Sequence, residues 1–431
     1  MTNTQTRTRP TATAPEGNPG NGLGPSLNGI MPGDEGLPTT YDLRGTIFDA
    51  PGRPLRIALL GTRGVPTIYG GFERCAEQLG LRLVERGHEV TVYCRRHFVD
   101  PHMHEYKGMK LVSAPTIRNK YLDTLTHTFF SSIHALFQPY DVCLYFIAGN
   151  SLVSWIPRLA RKPTVLNVDG LDWKREKWPR PAKLYIRLAE RLATSLPTVA
   201  LTDSRVVQKF YKEKYNASIR YITYGSEVDP LAAGPTLQKW GLEPRKYILF
   251  VGRIVPENHV HHLLDAYSGL TDKAGMKLVI MGDASYAEDY MAQVHALATP
   301  ETVFTGYVGG DGYRELVSNA YLFVETSSAS GTHPALLEAM SLGNCVVAQD
   351  TAENLETMGG AGLSYSGKNA GSGLRSTLQE LLHNPSLVEK YRSHAHAHVQ
   401  TNYSWDAVTE EYLDLFYRLV TKRGAKRSRR R

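Results

Sequence analysis

The sequence predicts an α/β protein made of two facing Rossmann-like, doubly wound domains with a cleft between them. Short apolar runs that suit buried parallel strands alternate with segments whose apolar residues recur at helical spacing. This alternation comes in two separate sets, one before and one after residues 230–235. The chain has 431 residues, of which 42% are hydrophobic and 21% charged, which suffices for two sizeable cores. Doubly wound domains place ligands at the carboxyl ends of their strands.

The first set begins with an apolar run at 55–60, a glycine-rich loop at 61–71 and a helical pattern from Phe72 to Gly87. The other strands of this set are predicted at 90–93, 110–114, 141–147, 164–169, 198–203 and 220–224. Its other helices are predicted at 122–137, 152–160, 181–196 and 206–215.

The second set repeats the pattern, with helices that include 313–320 and 333–342. Its strands are predicted at 247–253, 277–281, 303–306, 321–324 and 345–348. We therefore predict a first domain over 53–233, a second over 234–403 and a helix over 404–421 that returns to the first domain. Residues 1–52 are rich in Gly and Pro, lack any period and are predicted to be disordered.

Charge and cysteine content exclude several classes of protein. The net charge is +7, but seven Lys or Arg lie in 422–431, so the rest of the chain is nearly neutral and does not resemble a nucleic-acid-binding fold. That basic tail either contacts an anionic membrane or is solvated. The four cysteines form no CxxC pair, which argues against a zinc site, a redox motif or a disulfide scaffold. We find no apolar run that suits a membrane span or a secretory signal. We therefore expect a cytoplasmic protein that associates at most peripherally with the inner face of the membrane.

The glycine-rich loop resembles a dinucleotide fingerprint but departs from it. Gly61 and Gly64 give GxxG rather than GxGxxG, and Arg95 and Arg96 stand where a NAD site wants an acid. Paired arginines suit the 2′-phosphate of NADP, so an NADP-dependent reductase stays an alternative. Gly70 and Gly71 would let a donor approach the helix that follows, whose first amides favour an anion. The alternative interpretation is that the loop 61–71 only connects a strand to a helix.

A stronger group of residues lies in the second set. Arg253 ends a strand, which directs its side chain to the cleft. The alternative interpretation is that Arg253 forms an ion pair on the surface. Gly331 lets a ligand approach the helix that follows, Thr332 suits its N-cap and His333 stands at its start, where it can face phosphate. Glu338, over a turn further along, can accept two hydrogen bonds from a ribose diol. Together these features predict a site for a nucleotide-activated donor.

Several blocks of the chain resemble glycosyltransferase family 4, the retaining transferases of the two-Rossmann B-type fold. Within it they resemble the branch of bacterial rhamnosyltransferases of polysaccharide assembly, over about residues 55–420. The blocks are 57–95, 126–136, 167–178 (NVDGLDWKREKW), 203–205, 221–227, 251–258 (VGRIVPEN), 331–344 (GTHPALLEAMSLGN) and 403–405.

The resemblance implies roles for individual residues. In the family an Arg–Lys pair cradles the donor diphosphate; Arg253 matches the Arg, and Asn258 stands at the Lys position. An E-x7-E pattern contacts the donor sugar and the ribose; Glu338 matches its second Glu, whereas the first falls on Ser330. Asp169 stands where relatives often carry His, so it and Arg253 are our catalytic candidates.

The acceptor side is predicted in the first domain, with His127, Trp173 and Lys174 as candidates. For His127, a core histidine is the competing interpretation. The chain lacks a DxD pair for a metal on the diphosphate, and the histidines at 259, 261 and 262 do not share one helix face. We therefore expect neither a metal nor a cofactor.

The expected function is transfer of a hexose such as rhamnose from a nucleotide diphosphate donor to a saccharide or lipid-linked acceptor. A nucleotide-sugar-binding protein with little catalysis is an alternative, because Ser330 and Asn258 replace two charged residues of the family pattern.

Overall fold

The computed structural model describes residues 54–67, 70–119, 122–174, 178–284, 287–328 and 331–428. The segment 1–52, predicted to be disordered, and Ser330 lie outside these residues.

The first half of the chain forms an eight-stranded sheet. Its strands are β1 (Arg56–Leu60), β2 (Glu89–Arg95), β3 (Glu105–Tyr106), β4 (Met109–Ala114), β5 (Val142–Phe146), β6 (Thr164–Asn167), β7 (Val199–Thr202) and β8 (Arg220–Tyr221). They lie in the order β3-β4-β2-β1-β5-β6-β7-β8, and neighbours are parallel except β3 and β4. The two-residue β3 was not predicted, because so short an edge strand has no detectable alternation.

Helices cover both faces of this sheet. They are α1 (Gly71–Glu85), α2 (Asp123–Phe137), α3 (Arg180–Leu192) and α4 (Arg205–Tyr215). In α1 the predicted apolar stripe, which includes Cys75, Leu79 and Leu83, is buried against one face, while α2 and α4 pack on the other. The helix predicted at 152–160 is instead two short 3₁₀ helices, Ala148–Val153 and Ile156–Ala160. Pro157, which has no N–H to donate, opens the second of them.

The second half forms a six-stranded, all-parallel sheet. Its strands are β9 (Tyr247–Val251), β10 (Lys277–Met281), β11 (Thr302–Gly306), β12 (Leu322–Glu325), β13 (Cys345–Gln349) and β14 (Leu363–Tyr365). Their order is β11-β10-β9-β12-β13-β14. In both sheets the order reverses beside the first strand, at β1/β5 and at β9/β12, and such a switch point opens a crevice at the carboxyl ends. The fold predicted from the sequence is therefore confirmed.

The remaining helices surround the second sheet and close the chain. They are α5 (Pro235–Lys239), α6 (Val260–Ser268), α7 (Glu288–Ala296), α8 (Gly310–Ser318), α9 (Pro334–Ser341), α10 (Ala352–Met358), α11 (Ala370–His383), α12 (Pro385–Asn402) and α13 (Trp405–Ser428). Helix α13 packs on α1, where Arg86 pairs with Asp406 at 2.9 Å and with Glu410 at 2.7 Å. It runs to Ser428, into the segment predicted as a separate tail. Among the described residues no helix is long and apolar enough to cross a bilayer.

Candidate functional site

The loops that follow β9 and β12 are tied to each other at the switch point of the second sheet. Asn258, after β9, donates from Nδ2 to the carbonyl oxygen of Arg253 at 2.7 Å, and its Oδ1 accepts from Ser327 Oγ at 3.0 Å. The Ser328 amide also donates to the Glu257 carbonyl at 3.1 Å. The half-buried Arg253 therefore lies on a loop whose shape is fixed by the neighbouring loop.

Asn258, which was expected to contact the donor, makes hydrogen bonds to both loops. Its amide group is used on both sides, by a main-chain carbonyl and by a hydroxyl. We interpret Asn258 as a positioning residue for the Arg253 loop, because a neutral amide holds two loops together where a lysine would supply a charge.

His333 is oriented by groups behind it. Its Nδ1 lies 2.9 Å from Asn354 Oδ1 and 3.9 Å from Glu325 Oε2. Asn354 uses its Nδ2 to donate to the carbonyls of Ser327 and Gln349, so its Oδ1 must accept and His333 Nδ1 carries the proton. Burial raises the pKa of Glu325.

The start of α9 differs from the prediction in its cap. His333, not Thr332, is the N-cap residue, and its own side chain does not accept a hydrogen bond from the first-turn amides. Thr332 Oγ1 instead donates to the carbonyl of Asp203 at 3.2 Å, across the cleft. Because the His333 side chain does not cap the helix, the first amides of α9 and its dipole suit an anion.

Gly331 brings the two halves into contact at Asp169. Gly331 has φ of +103°, and a Cβ there would lie 3.1 Å from Asp169 Oδ1 and 3.3 Å from Gly170 Cα. Asp169 also adopts a positive φ, 57°, and its amide donates to Asn167 Oδ1 at 3.1 Å. The structure therefore places Asp169, at the end of β6, directly beside the loop that leads into α9.

Glu338, the expected ribose ligand, is engaged from both halves. Arg74 Nε on α1 lies 3.2 Å from its Oε1, and Tyr313 Oη donates to its Oε2 at 2.5 Å. Arg74 and Tyr313 were not among the predicted site residues, because nothing local to either residue signals a partner so far along the chain. A ribose that binds Glu338 has to share the carboxylate with them or displace them.

The glycine-rich loop lies near α9 but is not an open anion site. A Cβ on Gly71 would lie 3.0 Å from Pro334 Cγ, which places this glycine at the cleft. However, Glu73 lies in the first turn of α1, and its Oε1 accepts from the Arg63 amide at 2.9 Å; its other carboxylate oxygen lies against Gly70. This carboxylate shares the helix start with any anion that binds there, so donor binding at Gly70 and Gly71 stays a prediction. Arg95, one of the two arginines of the NADP alternative, pairs with Asp123 at 2.7 Å.

The acceptor-side candidates do not gather into a site. His127 is fully buried, and burial lowers its pKa to about 4, so it is a neutral core residue. Trp173 Nε1 donates to Glu190 Oε2 at 2.9 Å, and Arg187 lies 4.4 Å over its ring. Lys174 is exposed. Within the described residues no group of His, Cys, Asp and Glu is arranged to hold a metal ion.

Two acidic residues that were not predicted site residues, Asp203 and Glu356, lie where the halves meet. Asp203 follows β7 and is fully buried; burial, assisted by the negative charge of Glu356, raises its pKa to about 6. Glu356 on α10 accepts from Ser204 Oγ at 2.7 Å and from the amides of Arg205 and Val206 at 2.6 and 3.2 Å. One half therefore caps a helix of the other, which fixes the edge of the cleft.

Comparison with known proteins separates the two halves of the chain. Residues 245–384 match the family model described as glycosyl transferases group 1, and residues 55–227 match a domain of unknown function, DUF1972. The O-antigen chain mannosyltransferase B of Escherichia coli is 32% identical over 31% of this chain and 36% of its own length. A GDP-mannose-dependent alpha-mannosyltransferase of Corynebacterium glutamicum is 23% identical over 68% of this chain and 71% of its own. The chain spans little more than a third of the first of these relatives.

Solved structures show the same fold over most of the chain. Anabaena Alr3699/HepE in complex with UDP and glucose superposes with a TM-score of 0.69 at 17% identity, over 84% of this chain and 99% of that one. Sucrose-phosphate synthase of Thermosynechococcus elongatus gives a TM-score of 0.73 at 17% identity, over 85% and 100%. WaaG, a glycosyltransferase involved in lipopolysaccharide biosynthesis, gives 0.65 at 16% identity. The chain therefore has the B-type glycosyltransferase fold, and its residues 245–384 match the group 1 glycosyl transferase family model.

Proposed function

We propose that this protein is a retaining glycosyltransferase that moves a sugar from a nucleotide diphosphate donor to a saccharide or lipid-linked acceptor in cell-surface polysaccharide assembly. The observation that carries the proposal is the pair of joined loops after β9 and β12. They place Arg253 and the start of α9 at the switch point of the part of the chain that matches the group 1 family model. Glu338 lies on α9 itself, where its carboxylate can bind the ribose of the donor.

The reaction breaks the bond between the anomeric carbon and the donor phosphate, and negative charge develops on the departing diphosphate. Arg253 and the amides at the start of α9 would stabilise that charge, because preorganised donors in a desolvated cleft act most strongly on charge formed in the transition state. A diphosphate oxygen can take the acceptor proton, so no strong protein base is required. Asp169, beside Gly331, would contact the reacting sugar.

The donor sugar is a hexose in this proposal. Two relatives are named mannosyltransferases, one of them dependent on GDP-mannose, and a structural neighbour holds UDP and glucose. Because the sequence blocks resemble those of rhamnosyltransferases, a nucleotide-linked rhamnose is a third candidate donor. A thermal-unfolding panel with GDP-mannose, UDP-glucose and a rhamnose nucleotide separates these donors, since a ligand at 100 times its Kd stabilises by about 2.7 kcal/mol.

The decisive variant is Arg253→Ala, with Arg245→Ala as its matched control. Both arginines flank β9, but Arg245 precedes the strand, at the edge away from the cleft, and pairs loosely with Glu389 at 3.8 Å. Removal of one preorganised electrostatic group costs about 10²–10³ in rate. We expect that loss in Arg253→Ala, a partial loss in Arg253→Lys, because ammonium lacks the planar fork, and no loss in the control. Wild-type turnover in Arg253→Ala contradicts the proposed donor site.

A nucleotide-sugar-binding protein with little catalysis is the second candidate. Asn258 favours it, because a neutral amide tied to two neighbours replaces the second cation of the family pattern. Donor-induced stabilisation without acceptor-dependent release of nucleotide would identify this second function.

A further inference from the structure

The first turns of α1 and α9 face each other across the cleft at two points. A Cβ on Gly71 would lie 3.0 Å from Pro334 Cγ, and Arg74 Nε lies 3.2 Å from Glu338 Oε1. Residues three or four apart lie on one face of a helix, so each helix presents a single face to the other. The first half of the chain therefore brings a cation directly to the residue that is proposed to bind the donor ribose.

Glu338 is held by one contact on each oxygen of its carboxylate. Tyr313 Oη donates to Oε2 at 2.5 Å, and Arg74 lies beside Oε1. Burial and the negative charge of Glu338 raise the pKa of Tyr313, so the tyrosine hydroxyl keeps its proton and acts as the donor. Because the two contacts engage both oxygens, the orientation of the carboxylate is fixed before a ligand binds.

The Glu338 carboxylate still has room for the two hydroxyls of a ribose. A carboxylate offers about four lone-pair sites, and the contacts with Tyr313 and Arg74 occupy at most one on each oxygen. The Glu338 side chain is 14% exposed, so a ligand can reach it. A vicinal diol can therefore donate one hydrogen bond to each oxygen without displacing either neighbour.

We propose that Arg74 is a positioning residue for the donor ribose: together with Tyr313, it holds the Glu338 carboxylate so that each oxygen faces one hydroxyl of the diol. The inference rests on the proposed function, because there Glu338 binds the ribose of the donor. The nucleotide site of the second half is then incomplete without α1 of the first half. Nucleotide affinity therefore depends on contact between the two halves.

A double-mutant cycle on nucleotide binding tests this role. The full-chain variants are Arg74→Ala, Glu338→Ala and the two combined, and Tyr313→Phe removes the hydroxyl on the other oxygen. The matched control is Arg82→Ala, because Arg82 lies about two turns further along α1 and pairs with Glu227 at 2.8 Å. Calorimetry measures the Kd of GDP and UDP, and of their 2′,3′-dideoxy counterparts, which lack the diol. Thermal unfolding checks the fold of every variant.

We expect Arg74→Ala to weaken the binding of GDP or UDP about fivefold, which is the upper value for a partly exposed ion pair. Tyr313→Phe should weaken it in the same direction. Glu338→Ala should weaken it at least about tenfold, because the hydrogen bonds from the diol to a charged group are lost. Arg74→Ala should change neither the binding of the dideoxy nucleotides nor binding in the Glu338→Ala background, since the arginine acts through the carboxylate. The control should bind like wild type.

The inference alone is overturned if wild type binds nucleotide and Arg74→Ala binds it as tightly or more tightly. The arginine would then only join the halves, or compete with the ribose. It is also overturned if Arg74→Ala weakens the dideoxy nucleotides equally, or acts equally in the Glu338→Ala background, because Arg74 would then contact the diphosphate itself. If wild type binds neither GDP nor UDP, the donor site proposed above fails together with the inference.

Discussion

Asp203→Asn should stabilise the protein at neutral pH and leave its stability unchanged in acid. In the folded protein burial raises the pKa of Asp203 from 3.8 to about 6. The folded state therefore binds a proton that the unfolded state has already released between these two values. Stability conferred by the protonated carboxyl is complete below about pH 4 and is lost as the pH rises through 6. Asparagine, which has the same shape and does not titrate, avoids that loss.

The magnitude follows from the size of the shift. A difference of about two pKa units at about 1.4 kcal/mol each is worth about 3 kcal/mol, and Asp203 is fully buried, so solvent does not screen it. The free energy of unfolding of Asp203→Asn minus that of wild type should therefore rise from its acid baseline by about 3 kcal/mol between pH 4 and pH 7.

Urea unfolding at half-unit pH steps measures this difference, with the exposed Asp229→Asn as the matched control. The control should give a flat difference across the range. A flat difference for Asp203→Asn, or one that falls with pH, would refute the reasoning and mean that Asp203 is ionised at no cost in the folded protein.

Three other outcomes are expected. Glu356→Ala should lower the free energy of unfolding by about 2 kcal/mol, since α4 loses a cap that accepts three hydrogen bonds; unchanged urea unfolding contradicts this. Gly331→Ala places a side chain at φ of +103° and against Asp169, so it should cost about 1–3 kcal/mol of strain. Turnover should fall at least tenfold in an initial-rate assay, while circular dichroism shows that the fold is retained. Sugar transfer should persist when a chelator is added, because Arg253 and the start of α9 supply the positive charge that a metal would provide. A loss of activity in chelator that Mg²⁺ restores would contradict this prediction.

The fold was predictable from the sequence because its signals are local. A buried parallel strand reads as a short apolar run and an amphipathic helix as a recurrence at helical spacing, and both patterns span only about ten residues. Strands β1, β2, β4 and β10 and helices α1 and α2 were predicted within a few residues of their bounds. The domain boundaries and the separate end segments stay predictions.

The candidate site was predictable only where a strand end or a helix start determines the position of a residue. Arg253 after β9 and Gly331 before α9 lie at such positions, and topology brings both to the carboxyl edge of the sheet. His127 shows the limit: its apolar surroundings fitted both a cleft wall and a core, and the structure buries it completely.

The sequence by itself determined the strand–helix alternation, the two sets and the residues at the strand ends. Only the tertiary structure decided that Asn258 ties two loops together, that Arg74 reaches Glu338 and that Glu356 caps α4. Backbone periodicity is set by neighbours along the chain, whereas these contacts join residues far apart in sequence. The Arg74 and Glu356 contacts exist because packing of the two halves brings charged groups into a space where each needs a partner, and the Asn258 contacts exist because the second sheet places the loops after β9 and β12 side by side.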